Sequence, residues 1–198
     1  MSVDKFIIGI TGGIGAGKSV VSRILRLKGY EVYDCDFEAK RLMDRDEYVR
    51  DTLKKLLTDD IYASDGTLDR ALMSSRIFSD DGIRMAVNRI VHSAVKSDFI
   101  LRAERCESPV FVESAILFTS GLDKICSRIW LVEATEAQRV ERVMARNGLS
   151  PEEIKSRISA QEGEFDLLDK NKVDIIDNSG DISLLDQINK LLETSNQK

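Results

Sequence analysis

Cysteine and histidine are scarce in this chain: it has three cysteines and one histidine among 198 residues. Cys35, Cys106 and Cys126 are odd in number, lie far apart and form no C-x-x-C motif, a pattern that favours reduced thiols over disulfides or a zinc site. The amino terminus leads directly into an apolar segment and shows no signal-peptide pattern. Both observations predict a cytoplasmic protein.

Long apolar runs are also lacking. None approaches the roughly 20 residues that span a bilayer, so we expect no membrane association. Positive charge is in deficit, because 29 lysine and arginine residues face 34 aspartate and glutamate residues, for a net charge of −5 at pH 7. A general affinity for nucleic acid is therefore not expected. A small polyanionic ligand would have to be held by local groups and not by the overall field.

The chain does contain a glycine-rich stretch between an apolar run and a helical pattern. Phe6 to Ile10 is predicted to be a buried strand. Gly12 to Ser19 spells GGIGAGKS and satisfies the phosphate-loop motif G-x-x-x-x-G-K-[ST]. Val20, Val21 and Ile24 then recur at helical spacing. Strand, loop and helix together are the context that this motif requires, and they predict a nucleoside triphosphate site.

The residue types in the loop explain this chemistry. Glycines let backbone N–H groups approach an anion, and the helix amino terminus adds positive potential. Lys18 would place a charge on the β- and γ-phosphates, and the Ser19 hydroxyl would ligate Mg²⁺. The alternative is a glycine-rich turn that binds nothing, which the flanking strand and helix disfavour. The loop residues expected to bind ATP are Gly13, Ile14, Gly15, Ala16, Gly17, Lys18, Ser19 and Val20.

Strand patterns and helical patterns alternate along the chain. Short strands separated by helices predict an α/β protein with a P-loop kinase fold, in which helices flank a parallel sheet. Residues after the second strand are nearly all helical, and an insertion at that point usually holds the second substrate in small kinases. We expect one domain over 1–198, divided into a core (about 1–37, 104–134 and 172–198), an acceptor-binding helical insertion (about 38–103) and a lid (about 135–171).

Two carboxylates, Asp34 and Asp36, follow the second predicted strand. Ligands of open α/β sheets sit at the carboxyl ends of strands, and phosphoryl transfer to an alcohol needs a carboxylate near the acceptor hydroxyl. If the extended conformation continues, both side chains point in the same direction. The alternative is a solvated pair that caps the next helix.

These motifs together resemble dephospho-CoA kinases. The resemblance rests on GITGGIGAGKS, on YDCD about fifteen residues later, and on the segment ATEAQRVERVMARNGLSPEEIKSRISAQ. The usual second motif of the family is D-A-D, where this chain has Asp34-Cys35-Asp36. The resemblance covers nearly the whole length. It implies ATP-dependent phosphorylation of the ribose 3′-hydroxyl of dephospho-CoA, which gives CoA and ADP in the final step of coenzyme A biosynthesis.

The resemblance also implies roles for residues on the nucleotide side. Asp36 would be the general base or positioner of the acceptor hydroxyl, with Asp34 supporting it or the magnesium shell, and Lys18 would act in catalysis. The basic lid helix carries arginines that could reach the phosphates on closure; Arg146 matches the family best and Arg142 is next. A solvated basic face, also containing Arg139, is the alternative. Further expected contacts come from Arg157 and Gln161 on the following helix and from Asn178 and Gly180 at the adenine pocket.

On the acceptor side the resemblance points to Arg41, Arg70 and His92. Arg41 lies near the aspartate pair, and Leu68-Asp69-Arg70 matches the L-x-R element of the family. His92 is followed by serine where the family often has proline, and a lone histidine on an amphipathic helix is more often structural.

Two other functions stay open from the sequence. One is another small P-loop kinase, acting on a nucleoside monophosphate or a metabolite alcohol. The other is a nucleotide-binding switch of the GTPase type, since residues 171–174 spell N-K-x-D and residues 177–180 spell D-x-x-G. Both patterns are misplaced for a switch: the first leads into the last predicted strand instead of ending one, and the second follows it. The oligomeric state is not predicted.

Overall fold

The computed structural model describes residues 5–106, 109–166 and 168–195. The chain divides into two compact units. Residues 1–33 and 106–198 form the first, here called the core unit, and residues 34–105 form the second, here called the helical unit. The described part contains no helix that is long and apolar enough to cross a membrane.

A parallel sheet of five strands organises the described part of the core unit, in the spatial order β2-β3-β1-β4-β5. In the central strand every residue is buried, as expected where helices cover both faces of a parallel sheet. Ile8 of this strand pairs with Phe111 on one side and with Arg128 on the other. The strands are β1 (Ile7–Thr11), β2 (Val32–Asp34), β3 (Val110–Glu113), β4 (Arg128–Glu133) and β5 (Val173–Asp177).

α-Helices lie in every segment between consecutive strands except that between β3 and β4. The predicted P-loop kinase fold, with helices around a parallel sheet, is confirmed. In chain order the helices are α1 (Lys18–Leu27), α2 (Cys35–Arg45), α3 (Glu47–Leu56), α4 (Arg70–Ser79), α5 (Asp81–Ala103), α6 (Glu136–Asn147), α7 (Pro151–Ser159) and α8 (Leu184–Ser195).

The main core lies between the sheet and the pair α1 and α8. Apolar side chains of β1, β4 and β5 interdigitate there with those of the two helices, and Trp130 at its centre is fully buried. Its ring lies 5.2 Å from that of Phe111, which in turn meets Tyr30 edge-on. Each such buried side chain stabilises the fold by about 1.5–3 kcal/mol, so this layer holds the loop between β1 and α1 on a rigid base.

The helical unit consists of α2 to α5 around a core that includes Leu53, Ile61 and Val87. Each of its four helices starts with a capping aspartate, whose carboxylate accepts a hydrogen bond from a backbone N–H of the first turn. These aspartates are Asp34, Asp46, Asp69 and Asp80. A good cap contributes about 1 kcal/mol, so the boundaries of this all-helical region are encoded locally.

The lid segment, residues 135–171, contains α6 and α7. Both helices begin with a capping box, formed by Thr135 with Gln138 and by Ser150 with Glu153. Gly148 ends α6 at φ 65°, a left-handed conformation that favours glycine. Later in the segment the buried carboxylate of Glu164 accepts hydrogen bonds from the backbone N–H groups of Phe118 and Thr119. The lid segment is thus joined to the turn after β3.

Candidate active site

At two glycines of the loop between β1 and α1, neighbouring residues of the core unit leave no room for a side chain. At Gly12, φ is 148° and a Cβ would overlap the carbonyl oxygen of Val132. At Gly17, φ is 103° and a Cβ would overlap the side-chain amide of Asn178. Only glycine meets both demands. The loop therefore presents bare backbone, as a phosphate cradle requires.

Lys18 lies at the start of α1, where the helix dipole favours anions. Its Nζ donates a hydrogen bond of 2.8 Å to the carbonyl of Gly12 and contacts that of Gly13 at 3.4 Å. The ammonium group is thus folded onto the loop. The next two residues, Ser19 and Val20, are exposed in the first turn of the helix.

Two arginines of α6 contact the loop. Arg139 donates from Nε to the carbonyl of Ile14 at 2.8 Å. Arg142 donates from Nη2 to the carbonyl of Asn178 at 2.8 Å and lies 3.4 Å from the carbonyls of Gly15 and Ala16. Burial lowers the pKa of Arg139, because desolvation opposes its charge.

Arg146, the arginine that the family resemblance favours, is not at the loop in this structure. It is exposed and donates to the side chain of its neighbour Asn147. Since α6 rises about 1.5 Å per residue, Arg146 lies roughly one turn beyond Arg142. Its role in phosphate binding stays a prediction.

Asn178 and Gly180 follow β5. The Asn178 side chain donates to the carbonyl of Ala16 at 2.8 Å, and its backbone N–H donates to Glu133 at 2.8 Å. Gly180 adopts φ 103° with open space around it. The structure therefore brings Asn178 to the loop together with Arg142, while the adenine contacts of both predicted residues stay a prediction.

Gln161 and Arg139 both contact Ile14 of the loop, although the sequence favours Arg142 and Arg146 as the nucleotide-binding residues of the lid segment. The side-chain oxygen of Gln161 accepts a hydrogen bond of 2.7 Å from the backbone N–H of Ile14. Gln161 was expected on the helix that contains Arg157, but α7 ends at Ser159 and Gln161 lies just beyond it. The Q at the end of the lid motif was the only sequence signal for this contact.

In the helical unit, the chain from Asp34 to Asp36 does not continue in the extended conformation that would point both side chains in the same direction. Helix α2 begins at Cys35, and the Asp34 carboxylate accepts a hydrogen bond of 3.0 Å from the N–H of Phe37. The capping alternative therefore holds for Asp34. Asp36 lies in the first turn of α2 and is exposed, a position at which the helix dipole favours a carboxylate.

Arg41 is part of an ion-pair network in the helical unit. It pairs with Glu38 and with Asp98, and Arg102 pairs with the same two carboxylates. The pKa of Arg41 is raised, mainly by the hydrogen bond from its guanidinium to Glu38. An anionic substrate would have to compete with these carboxylates for Arg41.

Arg70 and His92 are the other predicted acceptor residues. Arg70 pairs with Asp44 at 2.8 Å, and both side chains are partly exposed. His92 lies on α5 and is half-buried, and this burial lowers its pKa. The imidazole is therefore neutral at pH 7, which suits a hydrogen bond to a substrate better than a charge contact.

These features define a class of protein. A glycine loop with Lys18 after the central strand, arginines of a helix pair on that loop and a parallel sheet of this order are typical of P-loop kinases that act on small molecules. The dephospho-CoA kinase family model matches residues 6–183. The chain therefore belongs to the dephospho-CoA kinase family.

Individual relatives agree with this assignment. A dephospho-CoA kinase of Porphyromonas gingivalis is 42% identical over 192 residues, which are 96% of this chain and 95% of the relative. A crystal structure from Thermus thermophilus superposes with a TM-score of 0.81 at 36% identity, covering 96% of this chain and 97% of that one. Dephospho-CoA kinase from Campylobacter jejuni, at 19% identity and TM-score 0.68 over 96% and 98% of the two chains, shares the fold.

Family membership confirms that the chain is an enzyme, a phosphotransferase with ATP as its co-substrate, and that it acts in the final step of coenzyme A biosynthesis. The switch alternative is not supported. Residues 171–174 lead into β5, where Asp174 pairs with Arg128, and residues 177–180 follow that strand.

Proposed function

We propose that this chain transfers the γ-phosphoryl group of ATP to the ribose 3′-hydroxyl of dephospho-CoA, using the loop residues and Asp36 as its principal groups. The observation that carries the proposal is the match of a dephospho-CoA kinase model to residues 6–183, on a chain whose Lys18 and Arg142 both lie on the loop backbone.

On the nucleotide side, the loop residues Gly13 to Val20 would bind the phosphates through their backbone N–H groups, except that of Ile14, which donates to Gln161. Lys18 would exchange the carbonyls of Gly12 and Gly13 for β- and γ-phosphate oxygens. Arg142 and Arg146 would bind the nucleotide from α6, and Asn178 and Gly180 would line the adenine pocket. Held in this way, the γ-phosphoryl group is fixed for in-line attack, and the arginines offset the charge on its equatorial oxygens.

The residues present also fit Mg²⁺. The exposed Ser19 hydroxyl in the first turn of α1 offers the hard oxygen ligand that this ion prefers. Within the described residues, no group of three or more histidine, cysteine, aspartate or glutamate side chains could form a metal cage. Ser19 would therefore hold an ion that arrives with the nucleotide and that, when bound, neutralises charge on the β- and γ-oxygens.

On the acceptor side, Asp36 would accept the hydrogen bond of the 3′-hydroxyl and orient it for attack. Its exposed position in the first turn of α2 supports this role, since a carboxylate at the surface is available to a substrate. Phosphoryl transfer has a loose transition state, so the carboxylate needs to position the hydroxyl more than to be strongly basic. Asp34 would support Asp36 by fixing the start of the helix.

Arg41, Arg70 and His92 would hold the rest of dephospho-CoA. Arg70 is the best placed of these, because its partly exposed ion pair with Asp44 contributes at most about 1 kcal/mol and exchanges easily for a phosphate. To bind the substrate, Arg41 would break one of its two ion pairs, that with Glu38 or that with Asp98. We also propose a cytoplasmic location, which the reduced thiols of Cys35, Cys106 and Cys126 support.

The test is a coupled ADP-release assay with ATP, Mg²⁺ and dephospho-CoA, beside a panel of nucleoside monophosphates. Turnover with dephospho-CoA and a product phosphorylated at the ribose 3′ position is the expected result. Phosphorylation of a monophosphate in its place would contradict the acceptor assignment. Lys18→Ala is the companion variant, and wild-type kinetics from it would contradict the assigned role of the loop.

A further inference from the structure

Ile14, in the middle of the phosphate loop, is bound to the lid segment through both ends of its backbone. Its N–H donates to the side-chain oxygen of Gln161 at 2.7 Å, and its carbonyl accepts from Nε of Arg139 at 2.8 Å. These are good lengths for hydrogen bonds. Arg139 lies in α6 and Gln161 lies just after α7, so two separate parts of the lid segment bind the same residue of the loop.

The Ile14 side chain makes a third connection. It packs against a small hydrophobic cluster of buried Val143, Ile154 and Ile158, which belong to α6 and α7. Partly buried Val140 and Leu149 complete this cluster, and both also belong to the lid segment. Among its described members, Ile14 is the one residue from outside the lid segment. The core of the lid segment is thus completed by a residue of the phosphate loop.

Close contact between α6 and the loop leaves little freedom around Ile14. A Cβ at Gly13 would overlap the guanidinium of Arg139, and one at Gly15 would lie 2.5 Å from the carbonyl oxygen of Arg139. Arg139 is partly buried, and desolvation has a larger effect on its pKa than the nearby carboxylate of Glu136. Because burial of a guanidinium is costly, its hydrogen bond to the loop offsets part of that cost.

We propose that Arg139 and Gln161 are positioning residues, which hold the Ile14 backbone so that the neighbouring N–H groups stay directed at the phosphates. A loop with four glycines around this residue would otherwise lose much conformational entropy on binding. Holding it in the bound shape beforehand lowers that cost and raises affinity. The lid segment thereby sets nucleotide affinity through residues that need not touch the nucleotide.

Gln161 gives the sharper test because its acceptor oxygen can be removed or kept. Gln161→Met preserves size and removes the acceptor, whereas Gln161→Glu keeps an acceptor for the Ile14 N–H. The dissociation constant for ADP, measured by calorimetry without dephospho-CoA, should rise about tenfold in Gln161→Met, equivalent to 1.4 kcal/mol. Gln161→Glu keeps the hydrogen bond but adds a negative charge near the phosphates, so any loss of ADP affinity in it should shrink as salt is raised, whereas the loss in Gln161→Met should not. In steady state the KM for ATP should rise while kcat changes little.

Amide hydrogen exchange supplies a readout independent of activity. Exchange at Ile14 should accelerate in Gln161→Met and not in Gln161→Glu, since only the first loses the hydrogen bond. Lys155→Met is the matched control, an exposed cation of α7 in the same lid segment. It should change neither ADP affinity nor exchange at Ile14.

Arg139→Met completes the experiment. If Arg139 and Gln161 act on one peptide, the losses of ADP affinity in the two single variants should not add in the double variant Arg139→Met/Gln161→Met. Unchanged ADP affinity in Gln161→Met would overturn the proposal, as would equally fast exchange at the Ile14 amide in Gln161→Met and Gln161→Glu. A fall in kcat without loss of ADP affinity in Arg139→Met would show a contact with the transferred phosphoryl group instead. Because no acceptor is present, failure here is separable from failure of the acceptor assignment.

Discussion

Asn178 and Gly17 fit together without space between them. The side-chain amide of Asn178 donates to the carbonyl of Ala16, and it occupies the position that a Cβ on Gly17 would take. Arg142 holds the same asparagine through its backbone carbonyl. The turn after β5, the helix α6 and the phosphate loop therefore meet at one point of the core unit.

Gly17→Ala should weaken nucleotide binding strongly. The substitution meets both the Asn178 amide and a backbone φ of 103°, where a side chain costs about 1–2 kcal/mol. We expect ADP affinity to fall more than tenfold in calorimetry. Gly148→Ala is the control, because Gly148 also has a positive φ but nothing within 4 Å of a Cβ. It should lower stability and leave affinity intact; equal losses of affinity in both variants would contradict the argument.

Asp36→Asn should retain ADP binding and lose turnover. The asparagine amide cannot take up the proton of the substrate hydroxyl, so turnover is lost. The phosphate loop is not altered, so ADP binding is retained. We expect kcat to fall by about 100-fold or more, within the range that general base catalysis contributes. Asp51→Asn, an exposed aspartate of α3, serves as the control in the same assay. A kcat equal to that of wild type would remove Asp36 from the mechanism.

The parts of this site that follow from the sequence are those with local signals. Glycine spacing, Lys18 and the cap residues Asp69, Thr135 and Ser150 each act within a few residues of sequence. Asp34 shows the limit of such signals, because the same residue type suits a strand end and a helix cap. In the structure its carboxylate accepts a hydrogen bond from the backbone N–H of Phe37, so Asp34 is a helix cap.

The contacts to Ile14 could not be predicted in this way. Arg139 and Gln161 reach it across 125 and 147 positions of sequence, and both residue types are as common on solvated helix faces as at a loop. The ion-pair network of Arg41, Glu38 and Asp98 could not be predicted for the same reason, since Asp98 lies 57 positions from Arg41 in the sequence. Tertiary packing determines such pairs, and no periodicity encodes them.

His92 should titrate below its ordinary pKa of 6.5. Burial opposes the imidazolium form, and a group whose pKa is lowered by folding stabilises the protein above pH 6.5 and loses that contribution as the pH falls towards its folded pKa. As the chain has one histidine, its NMR signal is unambiguous. The unfolding free energy of His92→Gln should depend less on pH below 6.5. A titration midpoint above 6.5 would instead indicate a nearby carboxylate.

Cys126 should be the least reactive thiol. Burial raises its pKa to about 12, so the reactive thiolate is rare at pH 8. Because folding raises this pKa, the associated stability is full below the ordinary thiol value and falls as the pH rises towards 12. Alkylation at pH 8 followed by mass spectrometry should label the less buried Cys106 first, and Cys126 only after unfolding. Labelling of native Cys126 at the rate of Cys106 would contradict this.

Substitutions of Arg142 and of Arg146 should impair different properties of the enzyme. Arg142 already bonds to Asn178 and lies near the carbonyls of the loop, so Arg142→Met should weaken ADP binding as the contact between α6 and the turn after β5 is lost. Arg146 is exposed, and its Nε donates to the side chain of Asn147 and not to the described loop. If it reaches the phosphoryl group only in the transition state, Arg146→Met should lower kcat and leave ADP affinity unchanged. Single-turnover measurements separate the two effects. Loss of ADP affinity in Arg146→Met would show that this arginine already binds the nucleotide in the ground state, whereas wild-type kinetics would assign it to the solvated face of the helix.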